Sequence, residues 1–576
     1  MSKRESQPVR AGHPHVAAAA AAGDPAGLGR RDFLGRTVGA TAGAALLGGP
    51  AAAPASAAPG STSGSPVKTQ SGRVVGVPAA LDGITVYKGI PYAASTAGQN
   101  RWRPPQPPPS WTGVRTADTW GAACPQPVTG IAADKVPPLS EDCLNLNIWT
   151  GAASSGERRP VFVWIYGGRN SAMWASQPVY GGANLAAKGA VVVTFNHRVG
   201  AFGNLAHPEL GAESGHGGSG NWGVLDTVAA LRWIRRNIAA FGGDPDRVTL
   251  AGWSHGSSFV NILMISKLAR GLFHRALPAA GVQYTKDPAL GRVAGGYDTL
   301  PVAEANGTAF GTYMGASSLA GLRALSANEI VAKVYAPGAP AVGTDFGNVL
   351  DGHVLPTGYT AAMESRTEYD VPVFTGNNKD ENGASVTLAM TVAQFEAFAA
   401  TTFGDKAADF LALYPATTDT EAAAQYNAYA RDEERVSTFL WGTQFRNTAG
   451  SRSPVYTYWW THAPPGSDTT NPIEPANGAG AYHGAEKYYL FGNLYGTDRP
   501  WTDEDHAIAD TTSSYVANFA ATGNPNGRSL PAWPALRTTR PLSMELGDTF
   551  APRAAADTDA RYVFLKSYLE SQKTEY

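Results

Sequence analysis

Residues 247–265 read RVTLAGWSHGSSFVNILMI, and this stretch decides the fold. Its first part, Arg247–Ala251, predicts a buried strand, and the apolar run Phe259–Ile265 predicts a helix. Between them lies the G-x-S-x-G turn Gly252–Gly256, with Ser254 at its centre. A serine on such a sharp strand-to-helix turn has its Oγ lifted clear of the sheet, where a base can reach it. Because five residues match by chance in many chains, the motif needs support from the rest of the sequence.

Apolar runs alternate with helical patterns on both sides of this turn. Four further buried strands and one long helix are predicted, at Pro160–Tyr166, Ala190–Asn196, Val371–Thr375, Pro454–Trp460 and Trp222–Phe241 respectively. Continuously apolar strands separated by helices indicate the α/β class, with a mostly parallel central sheet covered by helices on both faces. Ligands of such sheets bind beyond the carboxyl ends of the strands, where the Ser254 turn is expected. The looser stretch 285–350 is predicted to form helical excursions over that site.

The first 57 residues are predicted to be a twin-arginine-type signal peptide. Arg30-Arg31 precede an apolar stretch of small residues, and Ala55-Ser56-Ala57 gives a cleavage site. A weak membrane anchor is the alternative, although the apolar stretch is short and Gly-rich for a span. We therefore expect a secreted protein with no stable membrane anchor after signal removal. The rest is predicted to comprise a linker (58–72), a single α/β domain (73–570) and a C-terminal tail (571–576).

Composition narrows the class of protein. The chain has 576 residues, of which 43% are hydrophobic and 16% are charged, as in large globular enzymes. Its formal net charge is −2, and no basic stripe is present, so nucleic acid is not an expected partner. The two cysteines, Cys124 and Cys143, favour a disulfide in an exported protein. Two buried thiols and metal ligation are the alternatives.

Two loops offer the partners that a nucleophilic serine requires. Such a serine needs a base, an acid that orients the base, and donors for the developing oxyanion. The loop GNNKDENG at 376–383 follows a predicted strand and carries Glu381. The loop GAYHGAE at 480–486 carries His483 between small residues. Taken alone, Glu381 can equally be an exposed loop acid, and His483 can be a structural histidine.

Ordered short segments across the chain carry a family resemblance. They are KGIPYA (88–93), EDCLNLN (141–147), WIYGG (164–168), NHRVG (196–200), GGDP (242–245), NNKDE (377–381), HG (483–484) and ATGNP (521–525). Each is short, but their common order is very specific. Over nearly all of residues 73–570 the chain resembles the type-B carboxylesterases, the cholinesterase-like branch of the α/β-hydrolase fold.

The resemblance implies a mechanism and assigns roles to residues. It implies ester hydrolysis through an acyl-enzyme, acting on a small-molecule ester without a metal or an organic cofactor. The implied triad is Ser254 as nucleophile, His483 as base and Glu381 as orienting acid, with Asp380 as the acid to test second. The implied oxyanion donors are the backbone N–H groups of Gly168, Arg169 and His255. Cys124 and Cys143 match the family's first disulfide.

Three residues around the serine depart from the family pattern. Arg169 replaces a third glycine, Trp253 replaces the acid that usually precedes the serine, and His255 replaces a small residue. Arg169 can bind a substrate carboxylate or phosphate, or fold away in a salt bridge. These departures leave two alternatives open. The same triad can serve acyl transfer, lactone opening or lyase chemistry, or the chain can be a catalytically impaired binding relative.

Overall fold

The computed structural model describes residues 64–128, 133–168, 173–288, 296–340, 346–365, 368–446, 453–467 and 480–573. Within these ranges the strands are β1 (Val67–Lys68), β2 (Arg73–Val75), β3 (Val77–Pro78), β4 (Thr85–Pro91), β5 (Val114–Thr116), β6 (Asn145–Thr150), β7 (Arg159–Ile165), β8 (Val191–Phe195), β9 (Gly243–Trp253), β10 (Arg275–Ala279), β11 (Tyr297–Thr299), β12 (Asn348–Leu350), β13 (Val373–Asn378), β14 (Val455–Trp460), β15 (Leu542–Leu546) and β16 (Ala551–Ala554).

The α-helices of the same ranges lie mostly between these strands. They are α1 (Ala183–Ala187), α2 (Gly200–Asn204), α3 (Pro208–Ser214), α4 (Trp222–Asn237), α5 (His255–Ile265), α6 (Leu300–Met314), α7 (Leu319–Ala324), α8 (Ala327–Val334), α9 (Tyr359–Ser365), α10 (Val392–Phe403), α11 (Ala407–Leu413), α12 (Asp419–Arg446), α13 (Lys487–Phe491), α14 (Asp503–Thr522) and α15 (Asp559–Ser571). None of these helices has both the length and the apolar character needed to span a bilayer.

One large mixed sheet organises the fold. Its strand order is β16-β15-β14-β13-β10-β9-β7-β8-β6-β4-β3. The central strands from β8 to β15 pair in parallel, whereas the pairs at both edges are antiparallel. Helices α4, α5, α12 and α14 pack against the central strands, which accounts for their continuous apolar sequences. This is the α/β-hydrolase fold, as predicted.

The predicted strands and helices are confirmed within a few residues. The strand predicted at Arg247–Ala251 is longer at both ends, since β9 includes Gly243 and Trp253. The helix predicted from Phe259 begins at His255, directly after the serine, and the Ser258 N–H donates to the Ser254 carbonyl at 3.2 Å. The looser stretch 285–350 contains helices α6, α7 and α8, in agreement with the prediction of helical excursions.

One expectation needs correction, and a second stays a prediction. Residues 58–72 are not wholly a linker, because Val67 and Lys68 form β1 and pair antiparallel with β2. The second concerns Cys124 and Cys143, which are both buried and present as free thiols. The Cys143 thiol has its pKa raised by a hydrogen bond with Cys124 and by burial. The two sulfurs are therefore neighbours that are not bonded in the structure, and the disulfide stays a prediction.

Candidate active site

The serine turn joins β9 to α5 in a strained conformation. Ser254 has φ +56° and ψ −122°, outside the regions that L-residues favour. The two glycines of the motif are required by close backbone contacts. A Cβ on Gly252 would lie 2.4 Å from the Gly256 carbonyl oxygen, and one on Gly256 would lie 2.3 Å from the Ile165 carbonyl oxygen. The turn therefore requires glycine at both ends of G-x-S-x-G, because neither position has room for a side chain.

The structure brings the predicted base and acid to this serine. His483 Nε2 lies 2.8 Å from Ser254 Oγ, and His483 Nδ1 is hydrogen-bonded to Glu381 Oε2. Glu381 follows β13, which is separated from β9 in the sheet by β10 alone. Ser254 and Glu381 therefore lie at the carboxyl ends of two parallel strands of one sheet, as the sequence predicts, and His483 reaches them from a separate loop.

Glu381 is held rigidly in its orienting position. Its side chain is 2% exposed, and its Oε1 accepts a hydrogen bond of 2.6 Å from the Asn378 backbone N–H. His483, in contrast, has a 40% exposed side chain on the open side of the site. Desolvation lowers the pKa of His483, but the charge of Glu381 and its hydrogen bond raise it, and the net shift is upward. The imidazolium form is thus stabilised by the carboxylate behind it.

Asp380, the acid placed second by the sequence, faces away from His483 and performs a different task. Its Oδ2 accepts the Ala481 N–H at 2.8 Å, and its Oδ1 accepts Arg431 Nη2 at 2.5 Å. The Asp380 N–H in turn donates to the Ala481 carbonyl at 3.0 Å. A Cβ on Gly480 would lie 2.2 Å from Asp380 Oδ2, so the loop has no room there for a side chain. Asp380 therefore ties the loop of the histidine to the loop of the acid.

Replacing Asp380 with alanine is expected to loosen this connection without removing a reacting group. The Asp380 carboxylate is 3% exposed and accepts one hydrogen bond from Arg431 and one from the Ala481 N–H. We therefore expect the free energy of unfolding to fall by about 2 kcal/mol. We expect kcat/KM for a simple ester to fall about tenfold, since a loosened base costs part of the positioning advantage. Urea denaturation and steady-state assays measure the two effects. A loss of activity of several thousandfold would instead identify Asp380 as the triad acid.

Two of the three candidate oxyanion donors, Gly168 and His255, lie within the residues that the structure describes. Gly168 lies shortly after β7 with φ +98°, a conformation that favours glycine. His255 opens α5, so its N–H lies at the helix end where the dipole favours negative charge. The imidazole of His255 packs edge-on against Phe259, one turn further along the helix. Arg169, the third predicted donor, lies outside the residues that the structure describes.

Three residues next to the site carry features that sequence reasoning did not assign. The Trp253 indole is 3% exposed, and its centroid lies 5.0 Å from that of the His483 ring. Lys487 is fully buried, with its ammonium nitrogen 4.6 Å from the indole centroid. Glu486 is also fully buried, and its pKa is raised by desolvation and by the nearby Glu381 charge. The available signal was the pair Glu486-Lys487 at the start of an otherwise apolar aromatic run.

The arrangement suits chemistry at a carbonyl carbon. A hydroxyl, an imidazole and a carboxylate form a continuous hydrogen-bonded chain. Among the residues that the structure describes, no three His, Cys, Asp or Glu side chains are grouped so that they can hold a metal ion. The class of protein that this fold and site define is a hydrolase of the α/β-hydrolase fold.

Known proteins with similar sequences and folds narrow this class. The model of the Carboxylesterase family matches residues 63–563. The chain is 34% identical over 486 residues to the fumonisin B1 esterase of Sphingopyxis macrogoltabida, covering 81% of this chain and 83% of that protein. It is 33% identical over 509 residues to the human cocaine esterase, covering 82% and 87% respectively. A solved PNB esterase structure superposes with a TM-score of 0.64 at 28% identity, covering 88% of this chain and 99% of that one.

The protein belongs to the carboxylesterase family. It is a carboxylic-ester hydrolase, consistent with the names of these relatives and with the resemblance noted in its sequence.

Proposed function

We propose that the protein hydrolyses small-molecule carboxylic esters through an acyl-enzyme on Ser254, with His483 as general base and Glu381 as the orienting acid. The observation that carries the proposal is the hydrogen-bonded chain from Ser254 Oγ to His483 and on to Glu381. The strained Ser254 backbone supports it, because strain of this kind is typical of functional turns. The relatives are named for chemically different esters, so the proposal concerns the reaction and not one substrate.

The first half of the reaction forms the acyl-enzyme. His483 Nε2 takes the proton of Ser254 Oγ as that oxygen bonds to the ester carbonyl carbon. The negative charge that develops on the carbonyl oxygen is stabilised by backbone N–H groups, among which Gly168, Arg169 and His255 are proposed. The intermediate collapses when the carbon–oxygen bond to the alcohol breaks, and the leaving oxygen takes the proton from His483. Glu381 stabilises the imidazolium that exists between these two transfers.

The second half releases the acid. Water enters, His483 takes one of its protons, and the oxygen attacks the acyl carbon. The proton then passes to Ser254 Oγ as its bond to the acyl group breaks, which restores the free serine. In this scheme the neutral imidazole is required at the start of each half-reaction.

The dependence of activity on pH follows from this requirement. Protonation of His483 removes the base, so kcat/KM is expected to fall as the pH decreases through its pKa. Because Glu381 holds that pKa above the ordinary value of 6.5, the half-maximal rate is expected above pH 6.5. The profile is measured with p-nitrophenyl butyrate at constant ionic strength. A single acidic limb centred well below pH 6.5 would contradict the proposed base.

A product assay tests the proposed hydrolysis against acyl transfer. The wild-type protein is incubated with p-nitrophenyl butyrate, with and without an added primary alcohol, and the acyl products are quantified. Hydrolysis predicts free butyrate as the main product and little butyrate ester of the added alcohol. Predominant transfer to the alcohol would overturn hydrolysis while retaining the acyl-enzyme, and a complete lack of turnover would overturn the proposal.

Export and the disulfide are proposed on the sequence pattern. The twin-arginine pattern and the cleavage site at Ala55–Ala57 support secretion of the protein, although residues 1–57 lie outside the described ranges. Cys124 and Cys143 are buried side by side, which supports a disulfide in an oxidising compartment.

A further inference from the structure

Trp253 is the last residue of β9 and directly precedes Ser254. Its indole is wedged between two loops of the site. A Cβ on Gly167 would lie 2.6 Å from Trp253 Cε3, and a Cβ on Gly484 would lie 2.5 Å from Trp253 Cζ2. The first glycine precedes the candidate oxyanion donor Gly168, and the second follows His483. The ring therefore contacts the backbone on both sides of the reacting hydroxyl.

Two positively charged or chargeable groups lie against this one ring. The His483 imidazole is inclined at 34° to the indole with a centroid separation of 5.0 Å. The Lys487 ammonium nitrogen lies 4.6 Å from the indole centroid and 5.3 Å from that of Tyr488. An aromatic face attracts a cation by about 0.5–2 kcal/mol, most strongly where water is excluded. The ring therefore favours both the ammonium and the imidazolium that forms during each transfer.

The charges around His483 allow the effect of the Trp253 ring on the imidazolium to be distinguished from the effect of the Lys487 ammonium. Glu381 and Glu486 favour its protonated form, and Lys487 opposes it. Removal of the indole and removal of the ammonium therefore have opposite expected effects on the imidazolium. A side chain that merely filled space would give no such opposition.

We propose that Trp253 is a positioning residue that holds the His483 imidazole with its aromatic face, stabilises the imidazolium formed in catalysis, and accommodates the buried Lys487 ammonium against the same ring. This inference rests on the proposed function of His483 as base. Trp253 thus replaces a carboxylate with an aromatic face as the neighbour of the imidazolium.

The test compares the pH dependence of kcat/KM for p-nitrophenyl butyrate in three variants. Trp253→Leu is expected to shift the acidic limb about half a unit to one unit lower, with kcat reduced about tenfold. Trp253→Phe, which keeps an aromatic face, is expected to lie between Trp253→Leu and the wild type. Lys487→Met removes the opposing charge and is expected to shift the limb about half a unit higher.

A matched control is available in the same chain. The Lys88 ammonium lies 4.6 Å from the Trp120 ring centroid, the same separation as in the Lys487–Trp253 pair. Lys88 is on β4, however, which is separated from β9 in the sheet by β7, β8 and β6. Lys88→Met is expected to leave the pH profile unchanged. Thermal denaturation shows which variants are folded. If Trp253→Leu fails to fold, Lys487→Met and Trp253→Phe decide the matter.

The outcomes separate this inference from the proposed function. Opposite shifts in the Trp253 and Lys487 variants support the positioning role. Unshifted limbs, or shifts in the same direction, in folded and active variants overturn that role and leave the esterase proposal intact. A wild-type protein without turnover overturns the proposed function and, with it, the role of Trp253.

Discussion

Replacement of Ser254 by alanine is expected to lower kcat for p-nitrophenyl butyrate about 10⁶-fold, a loss of about 8 kcal/mol in transition-state stabilisation. The size follows from the loss of the hydroxyl that we propose forms the acyl-enzyme. His483 and Glu381 would then have no hydroxyl to activate, and water would have to attack the ester directly. Binding and the oxyanion donors would still give a small residual rate. Stopped-flow and long-time assays together cover the range of rates.

Ser257→Ala is the matched control for this substitution. Ser257 lies three residues later, in the first turn of α5; it is fully buried, and its Oγ makes no hydrogen bond within the described structure. Its replacement also removes one hydroxyl, but no reacting group, so we expect kcat within a few-fold of the wild type. A Ser254→Ala variant with more than about a hundredth of wild-type activity would contradict nucleophilic catalysis by this serine.

The second large effect is expected at Glu381. Glutamine at this position keeps the volume but loses the charge and can present an amide N–H to His483 Nδ1. That change favours the wrong tautomer, with the proton on Nε2, and a comparable substitution in a serine-protease triad costs about 10⁴-fold in kcat. We therefore expect Glu381→Gln to lower kcat about 10⁴-fold with a normal fold. The acidic limb of the residual activity is expected to move to lower pH, because Glu381 no longer raises the pKa of His483.

Asp380→Asn provides the comparison for this variant. It is the neighbouring acid, equally buried, and it bonds Arg431 and the Ala481 N–H instead of the imidazole. We expect a modest loss of activity with a measurable loss of stability, the reverse of the pattern for Glu381→Gln. If the two variants lost activity equally, the structure would have the wrong acid facing His483.

The strand-to-helix turn was predictable because its determinants are local. Apolar runs mark β9 and α5, and the glycines at 252 and 256 are needed by contacts within a few residues or with the adjacent strand β7. The start of α5 was predicted too late. Gly256, Ser257 and Ser258 have weak helix propensity, but the turn itself starts the helix at His255.

The roles of Asp380 and Lys487 were not predictable in the same way. Asp380 and Glu381 are adjacent carboxylates on one loop, and only the backbone path decides which of them faces the imidazole. Lysine is normally exposed, so a fully buried Lys487 runs against the general rule, and its ammonium lies against the Trp253 and Tyr488 rings. The contact between Trp253 and His483 joins residues far apart in sequence. Only the fold brings them together.

The most direct measurement is the position of a covalent adduct formed by a fluorophosphonate, which reacts with activated serines. Wild-type protein is labelled, its intact mass is determined, and the modified peptide is sequenced by mass spectrometry. We expect one adduct per chain, located on Ser254, with no labelling of Ser254→Ala and slow labelling of His483→Ala. An adduct on another residue, or a wild-type protein that is not labelled at all, would contradict the assignment of Ser254 as an activated nucleophile.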